Sequence, residues 1–464
     1  MRANKGIVNH GRRGIAGVFV MVSAVLAGAA SLLGCDPPPD TDADTGAGTT
    51  DTVTAALETP GAGDRRNHAS LPNHLPLFDP LGFSSTFSVD GKIALGGGFF
   101  KDLGVNGRTC GTCHLIGEGW TVSAVNNQSR FFFTQGKDPI FRPVDGANSP
   151  AADVSTFEAR RAAYSMLLSR GTIRVGIGMP AEADFTLTAV DDPYNYASAA
   201  ELSLFRRPLP ATNLEFLSTV MWDGRVTGTD LHDALATQAN GATQGHAQRP
   251  TPIDQATRDE IVDFETGLYT TQIFDFKVGW LGKDGGRGNP EDLESQAIVS
   301  ARWDVFDAYQ TSTSPKYQAI YRGQELFNTK RRPISDAHPN GGGPCQGCHS
   351  QANVGTNVNG TFFNIGVSAG TRRQPDQPLY TLTETATGTV VQTTDPGRAL
   401  ITGKFADVGK FKAPALRALA ARAPYFHNGS AATVADVVKF YEESLGFDFT
   451  ADEESDLVAF LSAI

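Results

Sequence analysis

A chain of 464 residues can hold two or three domains with cores of their own, and a composition 40% hydrophobic and 19% charged excludes a disordered or fibrous protein. Acidic residues outnumber basic ones, 50 to 39, which argues against nucleic acid as a partner and suits a basic one. Fifty glycines and 26 prolines point to a fold rich in loops.

The N-terminus carries Arg2, Lys5, Arg12 and Arg13 ahead of an apolar run, residues 14–34, that closes on Leu32-Leu33-Gly34-Cys35. This pattern resembles a bacterial lipoprotein signal, with residues 1–34 removed and Cys35 acylated after cleavage. The other reading is a transmembrane anchor. Both put the bulk of the chain outside the cytoplasm, on the periplasmic side or cell surface and tied to a membrane. Residues 35–70, rich in Asp, Thr, Gly and Pro, have little to bury and read as a disordered acidic tether, with order expected from near Leu71.

Residues 107–114 contain the sequence Cys110-Gly111-Thr112-Cys113-His114, and residues 341–349 repeat its pattern as Cys345-Gln346-Gly347-Cys348-His349. CxxCH is the haem c attachment motif: two thiols three residues apart reach the two vinyl groups of one haem, and the adjacent imidazole faces the iron. Cys110, Cys113 and His114 would hold one haem, and Cys345, Cys348 and His349 a second. Four of the five cysteines are used in this way and Cys35 has its own explanation, so a zinc site would lack the further ligand pairs it needs.

Between the motifs, residues 155–170 show helical spacing of Phe157, Tyr164, Leu167 and Leu168 behind a serine cap. Residues 172–175 and 185–190 alternate or run β-branched and predict short strands. A segment of small residues and amides covers 238–248. Asp254 then caps a helix with Ile261, Phe264 and Leu268 on one face. The glycine-rich run 282–292 is the best domain boundary. Ser314-Pro315 opens a helix with Tyr317, Ile320, Tyr321 and Phe327 inward. Thr433 starts another, with Val434, Val437, Val438 and Tyr441 inward, and Thr450 with Glu453 forms a capping box for the last. The expected fold is mainly α: an N-terminal haem c domain, 71–285, with an irregular insertion at 115–205 carrying short strands, and a C-terminal haem c domain, 290–464.

Further motifs carry a resemblance. Trp222-Asp223-Gly224-Arg225 lies between the CxxCH pairs, Phe362-Phe363-Asn364-Ile365-Gly366 follows the second, and residues 409–417 lead to Ala423-Pro424-Tyr425-Phe426-His427-Asn428-Gly429-Ser430. With both CxxCH motifs, this resembles the bacterial di-haem cytochrome c peroxidase and MauG family over most of residues 90–464; 115–205 fits the family poorly. The resemblance implies that Trp222 bridges the haems, while Asp223 and Arg225 fix the turn or hold a propionate. It implies a sixth ligand for the second haem fourteen residues beyond His427, methionine in ordinary peroxidases and tyrosine in the MauG-like branch. That position is Tyr441, and all five methionines precede the second CxxCH.

Peroxide is expected at the first haem. The family's distal glutamine corresponds to Gln238, but its glutamate, ten residues on, is matched by Gln248, an amide that cannot transfer protons. His246, two residues earlier, can take that role; otherwise it is a surface or propionate-bound histidine. The family also places calcium between the haems, using carbonyls that correspond to Arg422 and Pro424 and an asparagine fifteen residues before Trp222. That position is Arg207, a cation where a ligand is needed, which counts against calcium. The resemblance thus implies an oxidoreductase that reacts with hydrogen peroxide and takes electrons from a small donor protein, a cytochrome c or cupredoxin, or from an oxidisable partner protein. A non-catalytic di-haem electron-transfer cytochrome is the alternative.

Overall fold

Gly82–Ser88 and Leu268–Asp275 pair as the middle strands of a four-stranded antiparallel sheet, flanked by Leu77–Asp79 and Gly279–Trp280. The computed structural model describes residues 69–227, 230–295, 300–333, 342–356 and 361–464, which belong to one compact unit. The expected signal peptide, the lipidation site Cys35 and the tether as far as residue 68 lie outside the described residues. The first strand among the described residues is Ser70–Pro72.

The central strands do not alternate apolar with polar, because they bury polar side chains, among them Thr86 and Thr270. Thr86 and Thr270 share a hydroxyl hydrogen bond of 2.8 Å, Thr212 joins Thr270 at 2.9 Å, and the Asn213 amide donates to the Thr270 carbonyl at 2.9 Å. A second, three-stranded sheet pairs Phe185–Asp191 with Leu379–Glu384 and then Val390–Thr393, so the stretch 115–205 is stitched into the C-terminal half. Ile173–Ile177 pairs with Leu202–Arg206. The described residues hold ten α-helices and fifteen strands, so the expectation of a mainly α fold is corrected to a mixed one.

Two helix boundaries also change. The single helix expected over 155–170 is two, Phe157–Ala163 capped by Thr156 and Ser165–Arg170, because the Ala163 carbonyl accepts from the Asn148 amide and Tyr164 leaves helical geometry. Asp254 does cap a helix, Gln255–Thr266, but Gly267 ends it and Leu268 opens the central strand. The segment of small residues at 238–248 is mostly helical, within Leu231–Gly245.

The helices around the second CxxCH follow the sequence closely. Pro315–Thr329, Val434–Leu445 and Ala451–Ala463 have the expected starts, the last two with complete capping boxes. Pro315–Thr329 crosses Ala451–Ala463 at Gly323, where a Cβ would stand 1.9 Å from the Asp456 carbonyl oxygen; only glycine allows this approach. Leu281 and Leu293, on either side of the run 282–292, share one core with Tyr317, Ile320 and Phe460. Among the described residues no helix is long and apolar enough to cross a membrane.

Candidate functional site: two cavities with a shared wall

The two CxxCH segments fold alike. Each forms a single 3-10 turn, Cys110–Thr112 and Cys345–Gly347, and in each the histidine amide donates to the first cysteine's carbonyl at 3.0 Å. Each histidine then directs Nδ1 at a backbone carbonyl six residues on: His114 to Trp120 at 3.0 Å and His349 to Gly355 at 2.7 Å. A carbonyl accepts only from N–H, so Nδ1 carries the proton and Nε2 keeps the lone pair a metal needs. Burial pushes His114 down to about 4 and also lowers His349, favouring the neutral ring. The sheet fixes the first of these carbonyls, since the Trp120 indole donates to Thr86 Oγ1 at 3.0 Å.

A cavity opens on each histidine. The first is lined by Cys110, Cys113, His114, Trp222, Gln238 and His246 among others, the second by Cys345, Cys348, His349, Trp222, His427 and Tyr441. Trp222 and Lys412 belong to both walls, and the Lys412 amide donates to the Trp222 carbonyl at 2.8 Å. The Trp222 indole N–H is held by the Arg207 carbonyl at 2.8 Å.

The turn after Trp222 is structural. Asp223 is buried and receives Arg206 at 2.5 Å and Arg225 at 2.8 Å, while Arg206 also grips Asp395. Gly224 has φ +64°, and a Cβ there would meet the Phe362 ring at 2.2 Å.

His246 is the C-cap of the helix Leu231–Gly245, and that helix carries Gln238 on the same cavity wall. Its Nδ1 meets Asp145 Oδ2 at 2.5 Å, and Asp145 Oδ1 receives Arg108 Nη1. Burial alone would raise the Asp145 carboxyl, but the Arg108 guanidinium and the His246 contact hold it below the usual carboxylate range. Gln248 is exposed and lies outside the cavity lining. Sequence reasoning missed Asp145, which sits in the stretch without family likeness and has no local signal of its own. It also missed Glu265, a buried cavity-lining carboxyl pushed up to about 8 by burial.

Tyr441 is half-buried and lines the second cavity; burial and the fields of Cys345 and Cys348 push its phenol upward. It shares that wall with Cys345, Cys348 and His349.

These residues fit haem c. Lys412, in the wall of both cavities, is a buried cation whose Nζ, among the described residues, donates to the Ala413 carbonyl at 3.4 Å, and burial pushes it down to about 8. Arg417 is buried over the Trp303 ring, 5.1 Å from its centroid, and none of its guanidinium nitrogens has a hydrogen-bond partner among the described residues. Buried cations with so few hydrogen-bond partners suit anions such as propionates. Burial also pushes the Cys345 thiol up to about 12 and raises Cys110, away from a reactive thiolate.

No family model matches the chain. A cytochrome-c peroxidase, IdrP2, from Denitromonas iodatirespirans is 24% identical over 281 residues, covering 58% of this chain and 70% of that protein. The methylamine utilization protein MauG of Methylophilus methylotrophus is 25% identical over 278 residues, covering 57% and 70%. The chain is similar to bacterial cytochrome-c peroxidases and MauG. That similarity supports oxidoreductase chemistry with haem c at the level of the family. Among solved structures, a MauG-like protein associated with microbial copper homeostasis aligns with a TM-score of 0.39 and 18% identity over 87% of this chain and 95% of that one.

Proposed function

We propose that this chain is an extracytoplasmic di-haem c oxidoreductase of the tyrosine-ligated, MauG-like kind, held to a bacterial membrane by a lipid on Cys35 and reacting with hydrogen peroxide in its first cavity. The observation that carries the reading is the pair of cavities, each opening on a CxxCH histidine and sharing Trp222. Cys110, Cys113 and His114 hold one haem, and Cys345, Cys348, His349 and Tyr441 the other. When bound, haem supplies the iron at which peroxide is reduced to water.

The reaction consumes two electrons and two protons per peroxide, and the chain's own residues handle both. With Nδ1–H committed to Asp145, the basic atom of His246 is Nε2. It takes the proton of one peroxide oxygen and returns it to the other, which leaves as water; the remaining oxygen becomes the second water with the two electrons from the donor and two protons from solvent. Asp145 fixes the ring and stabilises the transient imidazolium, the part a carboxylate plays behind any catalytic histidine. Gln238 presents an amide to the same space. Trp222, an oxidisable indole in both walls, carries electrons between them. Tyr441 offers a hard, anionic oxygen that favours the oxidised metal. The electrons come from a small basic donor protein, a cytochrome c or cupredoxin, or from an oxidisable residue on a partner; the acidic composition supports the former.

Two measurements test this. A pyridine haemochrome assay should return two covalent haems per chain, and one or none ends the reading. Stopped-flow mixing of the oxidised protein with peroxide should give rapid spectral change, whereas an electron-transfer cytochrome would show none.

A further inference from the structure

The family resemblance implies a calcium ion between the haems, and the residues at that place do not fit one. The position expected to supply a side-chain oxygen is Arg207, whose guanidinium is buried. Its Nη1 donates to the carbonyl of Arg422 at 2.5 Å and to that of Pro424, and its Nη2 donates to the carbonyl of Val122. The two carbonyls available for a metal are thus turned toward a guanidinium, which already satisfies their charge. A divalent ion among the same oxygens would stand in contact with a like charge. The Arg422 side chain adds a second buried guanidinium nearby, bonded to Ala418 and Ala415 carbonyls at 3.2 and 2.9 Å. Burial pushes Arg207 down to about 10, which leaves it charged at neutral pH, with Glu118 close enough to act on it.

The backbone of Arg207 ties this cation to the bridging tryptophan. Its amide donates to the His427 carbonyl at 2.6 Å, and its own carbonyl accepts from the Trp222 indole at 2.8 Å. The Trp222 and His427 rings meet edge-on, 6.1 Å between centroids. Side chain and main chain of one residue therefore clamp together Val122, the 422–427 segment and Trp222.

We propose that Arg207 is a tethered cation standing permanently in the place of a divalent metal, and that it positions Trp222 without calcium. This does not depend on the peroxide reading, because metal content and thermal stability report on it directly. The holoprotein should hold substoichiometric calcium after dialysis, keep its haem spectra in chelator, and show no rise in melting temperature with added calcium, as a protein that does not bind a ligand must. Arg207→Asn, which returns an amide oxygen, should create calcium-dependent melting and chelator-sensitive spectra. Arg207→Lys should stay calcium-independent, and it decides the matter if the asparagine variant does not fold. One calcium retained per wild-type chain, or a wild-type melting temperature that rises with calcium, would overturn the proposal.

Discussion

Replacing Asp145 by asparagine removes a negative charge on which two groups depend. Its carboxylate is buried, with Oδ2 on His246 Nδ1 at 2.5 Å and Oδ1 on Arg108 Nη1. Arg108 keeps neutral acceptors, the carbonyls of Pro139 at 2.8 Å and Ile140 at 2.6 Å, so its hydrogen bonds survive while its counter-charge goes. Breaking a buried pair costs roughly 3–5 kcal/mol, and these carbonyls place the expected loss near the lower end. For the chemistry, an amide at 145 can face His246 with either its oxygen or its NH2, so ring orientation and tautomer are no longer fixed. General acid–base catalysis contributes about 10²–10⁴-fold, and losing the orientation but not the base should remove about one to two decades of the second-order rate with peroxide. Stopped-flow kinetics well below the melting transition measure this, with haem spectra as the control for folding. In a His246→Ala background the same substitution should cost nothing further. A folded Asp145→Asn protein with the wild-type rate, or an equal loss in both backgrounds, refutes the pairing as a functional one.

Other expectations follow from single residues. Tyr441→Met should raise the reduction potential of the second haem and Tyr441→Phe should leave its sixth position to water, both read by spectroelectrochemistry; unchanged spectra would make the tyrosine a core residue only. Glu265, pushed up to about 8 from 4.5 by burial, keeps when folded a proton that the unfolded chain has lost. Its contribution to stability is full below pH 4.5 and is lost as pH rises through about 8, so Glu265→Gln should flatten the fall in melting temperature across that window, and an unaltered slope counts against it. Gly323→Ala drives a methyl into the Asp456 carbonyl and should cost about 1–3 kcal/mol by denaturant unfolding, without shifting the first haem's spectrum.

How far the sequence reached depends on the kind of signal. Helix starts with a capping residue and a one-sided apolar stripe, as at Asp254, Thr433 and Thr450, were legible because the whole signal lies within a few residues. The central strands were not, since Thr86, Thr212 and Thr270 satisfy one another across gaps of 58 and 184 residues and bury hydroxyls where alternation predicts apolar groups. The CxxCH residues were legible because their spacing encodes their chemistry, whereas Trp222 and Tyr441 were singled out through the family resemblance; all of them line the two cavities. Asp145 lies 101 residues from His246, and only the fold brings them together.

The stretch 115–205 answers two demands created elsewhere in the chain. A glutamate has two equivalent oxygens and works as a proton carrier in either orientation; a histidine has two unlike nitrogens, and one must be committed before the other can act. If His246 takes the role proposed for it, two residues before the family's carboxylate position, it needs a buried acceptor, and Asp145 of this stretch meets it. An arginine in the asparagine position likewise needs more acceptors than the two carbonyls at 422 and 424, and Val122, from the same stretch, provides one. A paired exchange tests whether His246 and Asp145 of this stretch act together. His246→Glu alone puts two carboxylates in contact at a buried site, where both cannot ionise, so stability and peroxide rate should both fall. Adding Asp145→Asn removes the repulsion and gives the new glutamate an amide donor, so the double variant should recover stability and much of the rate. Recovery no better than the sum of the two single effects would show that the site and the stretch are not coupled.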